Sequence, residues 1–520
     1  MKVSAGPVDG RRRSVARSGD PGAGRLGRRA LVLGGSLAGL LSASVLARHF
    51  DQVVIVERDQ SSGQSGGNRR GVPQGRHSHG LLVSGSRSME RLLPGLTDGL
   101  VARGAIRVDL VNRARWCFGN VEQARFDSGL EGLMASRPLI EGEIRRRVLD
   151  LPNVVLVGGY DITGLAVSDD RRRVLGARVA RRRLSADARS TSSGPASELA
   201  SELASESASD PASAGLPTDW TEEDTVLADL VMDATGRGSR AATWLAELGY
   251  PRVAEEVVDA RMSYVTRRFR QQSGVLDDLD ADIIGSGPGG VRSGVALRQE
   301  DGIWTVSLAG GFGERPPSEL AQFQDFARTL PTPGVAEVAL RCEPIDEPQF
   351  FHYPSSRWLH WEKLADRPEG FTVIGDAVCS FNPVYGQGMS SAALQAEALA
   401  GVLDGGLSDL SDLPARAAKA FAVVVATPWT LATGADRRHP SLPVKPLIER
   451  VLDRYLDRLL VAAQHDRELT MAFNRVLNLL AAPPSLLAPW LVARVLRPAR
   501  WRPQPLMAAS APEPVTAKSA

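Results

Sequence analysis

Three short runs carry the residues best suited to holding a ligand. Gly34-Gly-Ser-Leu-Ala-Gly39 follows the apolar run Ala30-Leu-Val-Leu33. Asp233-Ala-Thr-Gly236 follows Leu230-Val-Met232. Gly375-Asp376 follows Phe371-Thr-Val-Ile374 and leads through Pro383 to Gly386-Gln-Gly-Met389. In each, glycines stand at the end of a strand-like segment, where backbone can approach a ligand closely. The first run closes on a second strand, Val53-Val-Ile-Val56, capped by Glu57. Strand, glycine turn, helix, strand and acidic cap make the dinucleotide-binding βαβ pattern. Gly34 permits the tight turn. Ser36 takes the place of the usual second glycine and is small enough to admit a pyrophosphate. Gly39 lets the helix pack closely on the strand. The helix, predicted over Leu40–Arg48, offers free N–H groups and its positive dipole end to phosphate. Glu57 can accept hydrogen bonds from ribose hydroxyls and would repel a 2′-phosphate. This points to the adenosine half of FAD or NAD rather than NADP.

The other two runs extend the ligand beyond its adenosine half. Gly236 and Gly238 let backbone pass close by, with Asp233 at the end of its strand. Asp376 is placed to accept from a ribityl hydroxyl at the carboxyl end of a buried strand, where open α/β sheets bind ligands. Alone, Asp376 also reads as a helix cap; the accompanying motifs favour the ligand role. Gly386 and Gly388 keep the next helix start free of side chains. That helix N-terminus can stabilise negative charge on the N1 and C2-oxygen edge of a reduced flavin.

The elements that must position these runs point to an α/β fold: a Rossmann-like FAD-binding domain, an inserted antiparallel-sheet substrate domain and a helical C-terminal region. Residues 1–27 read as a disordered basic arm and 28–256 as the first part of the FAD-binding domain. Within it, 185–218 is a low-complexity loop between the strand-like segments Val174–Ala180 and Val226–Met232. Residues 257–364 show alternating patterns, including Val295–Arg298 turning through Glu300-Asp-Gly302 into Ile303–Leu308, and read as the substrate domain. Residues 365–414 return to the FAD-binding domain, 415–503 are helical with breaks at Pro483, Pro484 and Pro489, and 504–520 are a tail.

Composition narrows the function classes. With 62 Lys and Arg against 60 Asp and Glu, the net charge of +2 gives no global case for nucleic acid. The arginines before Ala30, followed by an apolar run, mimic a twin-arginine signal or a membrane span. The glycine turn inside that run and the strand after it identify the βαβ core instead, and no integral membrane segment is expected. Cys117, Cys342 and Cys379 are odd in number and widely spaced, which argues against disulfides or zinc and fits a reducing cytoplasm. Gly285-Ser-Gly-Pro-Gly-Gly290 matches the glycine fingerprint, but a strand hairpin follows it rather than a helix, so one dinucleotide fold is expected. His77 and His79 share a face if extended; with no third ligand nearby, no metal is expected, and a contact beside the flavin or structural hydrogen bonding remains.

Together the motifs resemble FAD-dependent monooxygenases of the p-hydroxybenzoate hydroxylase fold. Glu57-Arg-Asp59, Arg69-Arg-Gly-Val-Pro-Gln-Gly-Arg-His-Ser-His79, Ser136-Arg-Pro-Leu139 and Asn382-Pro-Val-Tyr-Gly-Gln-Gly-Met-Ser390 resemble the actinobacterial branch, which includes flavin epoxidases of polyether antibiotic pathways. The resemblance runs from about Ala30 into the C-terminal helices, and the Ser/Ala/Glu insertion departs from it. It implies that Arg137 reaches the FAD and that Val72–Gly75, with Gln74, passes near the isoalloxazine. Ala38, Arg58, Pro383 and Met389 lie in the matching motifs and join the candidate FAD contacts.

The activity implied is epoxidation or hydroxylation of an apolar secondary-metabolite intermediate. NAD(P)H would reduce the flavin, directly or through a separate flavin reductase, and O2 would form a C4a-hydroperoxide. The flavin carries the chemistry, so no side chain is expected to act as catalytic acid, base or nucleophile. Met262, Tyr264, Trp304, Phe350 and Phe351 are candidates for the substrate pocket, with burial in the core the competing and commoner role for each, and Leu486–Leu496 is a candidate for a segment closing over it or an ordinary packed helix. A flavin reductase of prenyl double bonds, resembling geranylgeranyl reductases, is the main alternative. A halogenase is disfavoured because Arg357-Trp-Leu-His-Trp361 lacks the Trp-x-Trp-x-Ile-Pro motif. A non-catalytic carrier is disfavoured by the intact glycines, Glu57 and Asp376.

Overall fold

The computed structural model describes residues 25–60, 75, 77–78, 80–182, 223–287, 289–407 and 409–497. The expectations for the arm before Arg25, Gln74, His79, the low-complexity loop and the tail lie outside them.

The fold is the expected α/β one. Five parallel strands form its first sheet: β1 (Gly27–Leu33), β2 (Phe50–Glu57), β3 (Val154–Gly158), β4 (Leu230–Asp233) and β5 (Phe371–Val373), in the order β5-β4-β1-β2-β3. Parallel strands covered on both faces must be apolar throughout. Accordingly Leu31, Val32, Leu33, Val54, Ile55 and Val231 are all fully buried. The helix Leu37–Leu46 packs on this sheet, and the helix Gly388–Asp404 packs on that helix and adds to the same core. A three-stranded antiparallel sheet contributes Val174, Ala177, Val179 and Val226 to the same core. The segment Val226–Met232 proves to be two strands. Glu223–Leu227 pairs with Val174–Arg181, and Leu230–Asp233 enters the parallel sheet. Asp229 marks the transfer, its carboxylate accepting from the backbone N–H groups of Arg28 (2.7 Å) and Arg29 (3.0 Å).

The second large sheet is built on Met262–Arg270, Ile303–Gly310, Arg292–Gln299 and Ala281–Gly285, all antiparallel neighbours. Ala114–Phe118, which no sequence pattern marked, joins it in parallel beside Ala281–Gly285. The helices Leu320–Arg328 and Gly334–Arg341 cover one face, burying Phe269, Trp304, Val306 and Phe323. The glycine run 285–290 joins two strands of this sheet, as its following hairpin pattern predicts. The C-terminal region forms the helices Leu413–Asp436, Leu447–Ala463, Arg467–Leu477 and Pro489–Leu496. No helix among the described residues is long and apolar enough to cross a membrane.

Candidate dinucleotide and substrate site

The sheet topology itself brings the three runs together. β1 pairs with β4 through Leu33 and Asp233, and β4 pairs with β5 through Asp233 and Val373. Because all three strands are parallel, Gly34, Ala234 and Ile374 emerge side by side at the carboxyl edge. β1 also sits where the strand order reverses direction, the place such sheets bind ligands. Gly34 has φ +103°. A Cβ on Gly39 would lie 1.9 Å from the Gly34 carbonyl oxygen, so only glycine allows this helix to meet this turn. Ser36 caps the Leu37–Leu46 helix without a side-chain hydrogen bond to its N–H groups. Those first-turn donors are left for a ligand.

A cavity of about 1650 Å³ opens from this edge. Ligand pockets typically hold roughly 300–1,000 Å³, so this one has room for a dinucleotide and a second molecule. One end is lined by Ser36, Ala38, Arg58, Arg137, Gly236 and Asp376, and the run Pro383–Met389 follows, with Gly386, Gly388 and Met389 exposed to the space. The large sheet contributes Met262, Tyr264 and Phe351, and Trp116, Phe118 and Phe473, in ring contact through Phe118, form an apolar wall with Leu456 and Leu486.

Several expected residues stand behind this surface. Gly34, Gly39 and Gly375 shape the turns without lining the cavity. The Asp233 carboxylate is fully buried and faces inward, accepting from Thr235 N (2.8 Å), Thr235 Oγ1 (2.6 Å) and Ser239 Oγ (2.8 Å). It organises the loop that presents Gly236, and burial raises its pKa against those hydrogen bonds. Glu57 is also buried; its Oε2 accepts from Gly35 N at 2.7 Å, bracing the glycine turn. Trp304 and Phe350 are corrected as pocket residues. Strand alternation decides both. Tyr264 pairs with Phe351 on the cavity face, so their neighbours Val265 and Phe350 face the other way. Trp304 pairs with Phe269 in the core beneath the two helices, and Phe350 is 63% exposed.

Arg137 begins the helix Arg137–Leu149, and its guanidinium donates to Ser36 Oγ (3.2 Å). Glu141, one turn on, accepts from Ser36 Oγ (3.1 Å) and pairs with Arg137 (3.5 Å) and Arg145 (3.4 Å). Arg145 in turn donates to Gly35 O (2.6 Å). This helix therefore clamps the glycine turn, whereas the family resemblance implied only that Arg137 reaches the FAD. The i, i+4 spacing of Arg137, Glu141 and Arg145 was a signal for one shared helix face. Arg237 was also missed. It stands between two glycines of the second run, lines the cavity, and is fixed by Ser380 Oγ (2.6 Å), Ser355 Oγ (3.1 Å) and Tyr353 OH (3.1 Å). Burial pushes the Asp376 carboxyl up, and Arg137 and Arg237 oppose that shift.

His77 lines the cavity, with Nδ1 2.7 Å from Thr266 Oγ1 and its ring 5.5 Å from that of Phe351. Trp361 of the disfavoured halogenase segment donates to Ala377 O (3.1 Å), supporting the Asp376 turn from behind. Among the described residues no group of three or more His, Cys, Asp or Glu is placed to hold a metal ion.

The residues fit a flavin dinucleotide. Gln387 Oε1 is buried beside the cavity without a hydrogen bond. No protein donor among the described residues bonds the Asp376 carboxylate, and two helix N-termini present unused N–H groups to the same space. Such groups are costly to bury unless a ligand satisfies them.

The comparisons with known proteins agree with this architecture. No family model matches the chain. p-Nitrophenol 4-monooxygenase PnpA from Pseudomonas putida DLL-E4 is similar in structure, with TM-score 0.53 and 17% identity over 87% of this chain and 99% of that one. PqsL of Pseudomonas aeruginosa gives TM-score 0.52 and 16% identity over 79% of this chain and 97% of its own. The flavin-dependent brominase Bmp2 gives 0.56 and 14% over 86% and 92%. At these identities the likeness establishes the fold, that of flavin-dependent monooxygenases and halogenases. In sequence, Protein Rv3254 of Mycobacterium tuberculosis is 31% identical over 470 residues, 88% of this chain and 91% of its own length. The chain belongs to the same family as Protein Rv3254.

Proposed function

We propose that this protein is an FAD-dependent monooxygenase that uses NAD(P)H and O2 to epoxidise or hydroxylate an apolar secondary-metabolite intermediate, as in the polyether branch its motifs resemble. The observation that carries the reading is one continuous cavity. It joins a dinucleotide-binding edge to a predominantly apolar chamber walled by the large sheet and the C-terminal helices. The fold shared with flavin-dependent oxygenases supports it.

In this reading the central sheet and the Gly388–Asp404 helix hold FAD, and the large sheet covers its ring. The flavin, once reduced, supplies the activation of O2. The chain binds, orients and excludes water. Ser36, Ala38 and the first-turn N–H groups face the pyrophosphate, held by the Arg137–Glu141–Arg145 clamp. Asp376 accepts from a ribityl hydroxyl. The start of the Gly388–Asp404 helix stabilises negative charge at the flavin edge nearest the Pro383–Met389 run. Met262, Tyr264, Phe351 and the aromatic wall keep the chamber dry and place the substrate.

The test is rapid mixing. The FAD-loaded protein is reduced without oxygen, then mixed with oxygenated buffer while its absorbance is followed. A transient near-ultraviolet band before the oxidised spectrum returns, and oxygen incorporation into an alkene or aromatic acceptor, are the expected results. Anaerobic saturation of a prenyl double bond, with no oxygen incorporated, would replace this reading with a reductase.

A further inference from the structure

The chamber holds a buried carboxylate, Asp436, that the oxygenation reading does not use. Asp436 ends the long helix Leu413–Asp436, lines the cavity and is only 6% exposed. Its Oδ1 accepts from Tyr385 OH (2.7 Å) and Asn382 Nδ2 (3.3 Å). Its Oδ2 is buried and accepts from no described residue. The nearby donors are committed elsewhere. Tyr264 OH donates to Asn382 Oδ1 (2.5 Å), Arg437 to Glu256 (2.6 Å) and Arg438 to Asp457 (2.6 Å). Asn382 and Tyr385 belong to the run that leads to Gly386 and Met389, so Asp436 sits where the dinucleotide end meets the apolar end. A carboxylate oxygen buried without a partner is energetically unfavourable, and a hydrogen-bond donor on a ligand removes that penalty.

We propose that Asp436 is a specificity-determining residue: its free Oδ2 receives a hydrogen bond from a hydroxyl or amine on an otherwise apolar molecule bound in the chamber. This names the substrate class within the proposed oxygenation: amphipathic, with one donor close to the flavin end and its apolar body toward Trp116, Phe473 and Leu486. Tyr385 and Asn382 hold the carboxylate in place, and Tyr264 fixes Asn382 in turn, so the donor position is defined rather than adaptable.

The inference rests on the same site as the proposed function, but its test needs no turnover. Two isosteric probes are titrated into the purified, FAD-loaded protein: 1-decanol, which carries an O–H donor, and methyl nonyl ether, which carries only the acceptor. Binding is read from tryptophan fluorescence, Trp116 and Trp429 both lining the cavity. The parent should bind the alcohol about tenfold more tightly, the range for a hydrogen bond to a charged group. In Asp436→Asn, Tyr385 and Asn382 both donate toward the Oδ1 position, so the amide oxygen must stay there and its NH2 takes the Oδ2 position. That swap presents a donor to both probes, and their affinities should fall within about twofold of each other. Circular dichroism and flavin content report whether the variant is folded. Equal affinities in the parent, no binding of either probe, or an alcohol preference that survives in the folded variant would overturn the proposal. Failure of the oxygen-mixing experiment would leave this result standing, because it reports recognition and not redox chemistry.

Discussion

Asp436→Asn also has a consequence for stability that can be worked from the structure. Burial raises the Asp436 pKa from 3.8 to about 6, with the hydrogen bonds from Tyr385 and Asn382 opposing the shift. A difference of that size corresponds to roughly 3 kcal/mol between the folded and unfolded chain. The sign is that of a raised carboxylate. The contribution is fully present below pH 3.8 and is lost as pH rises through about 6. Asparagine has the same shape, keeps a carbonyl for Tyr385 and does not ionise. The stability of the variant relative to the parent should therefore climb by up to roughly 3 kcal/mol between about pH 4 and pH 6.5, then level off. Urea unfolding followed by tryptophan fluorescence at several pH values measures the difference directly. Taking the difference cancels the other titrating groups, which are common to both proteins. A difference that stays flat across this window would refute the argument that Asp436 is desolvated in the fold.

The remaining predictions follow from other parts of the site. Asp376→Ala should lower FAD affinity at least tenfold, by roughly 1.5 kcal/mol or more, while leaving the far-ultraviolet circular dichroism unchanged; equilibrium dialysis of the flavin checks it. Trp304→Ala should destabilise the protein by about 3–5 kcal/mol through a core cavity, whereas Phe350→Ala should stay within about 0.5 kcal/mol, and parallel urea melts compare them. Glu143 is held down to about pKa 2 by hydrogen bonds from Arg146 and Arg147 that outweigh its burial. Glu143→Gln should therefore cost about 1 kcal/mol near pH 7, solvent screening of the part-exposed arginines reducing the effect, and the loss disappears as pH falls through about 2, as acid titration of the two proteins would show. Glu141→Ala should leave Arg137 and Arg145 without their shared carboxylate and weaken FAD binding, read as a rise in the flavin dissociation constant.

Much of the architecture was legible in the sequence because it is set by local rules. The run Ala30–Gly39 with Val53–Glu57 specifies strand, turn, helix and strand through apolar periodicity and glycine placement alone. The same holds for the hairpin through Glu300-Asp-Gly302 and for the rejection of the 285–290 glycine run, whose neighbours are strands. Candidate cofactor contacts such as Ser36, Gly236, Asp376 and Gly388 could be named because glycines and short side chains at strand ends have few other uses.

What only the tertiary structure decided is which way each side chain faces and what it meets. Asp233 and Glu57 have the right residue type at the right strand end, yet each turns inward to hold a loop. Tyr264 and Phe351 reach the cavity while Phe350 does not, because a one-residue register step on a strand moves a side chain to the opposite face. Ala114–Phe118 joins the large sheet across more than 160 residues of chain, and Asp436 meets Asn382 and Tyr385 from a helix about 50 residues away. A sequence reports periodicity over neighbours on the chain. Contacts that depend on how two sheets and a helical region are packed appear only once those elements are assembled.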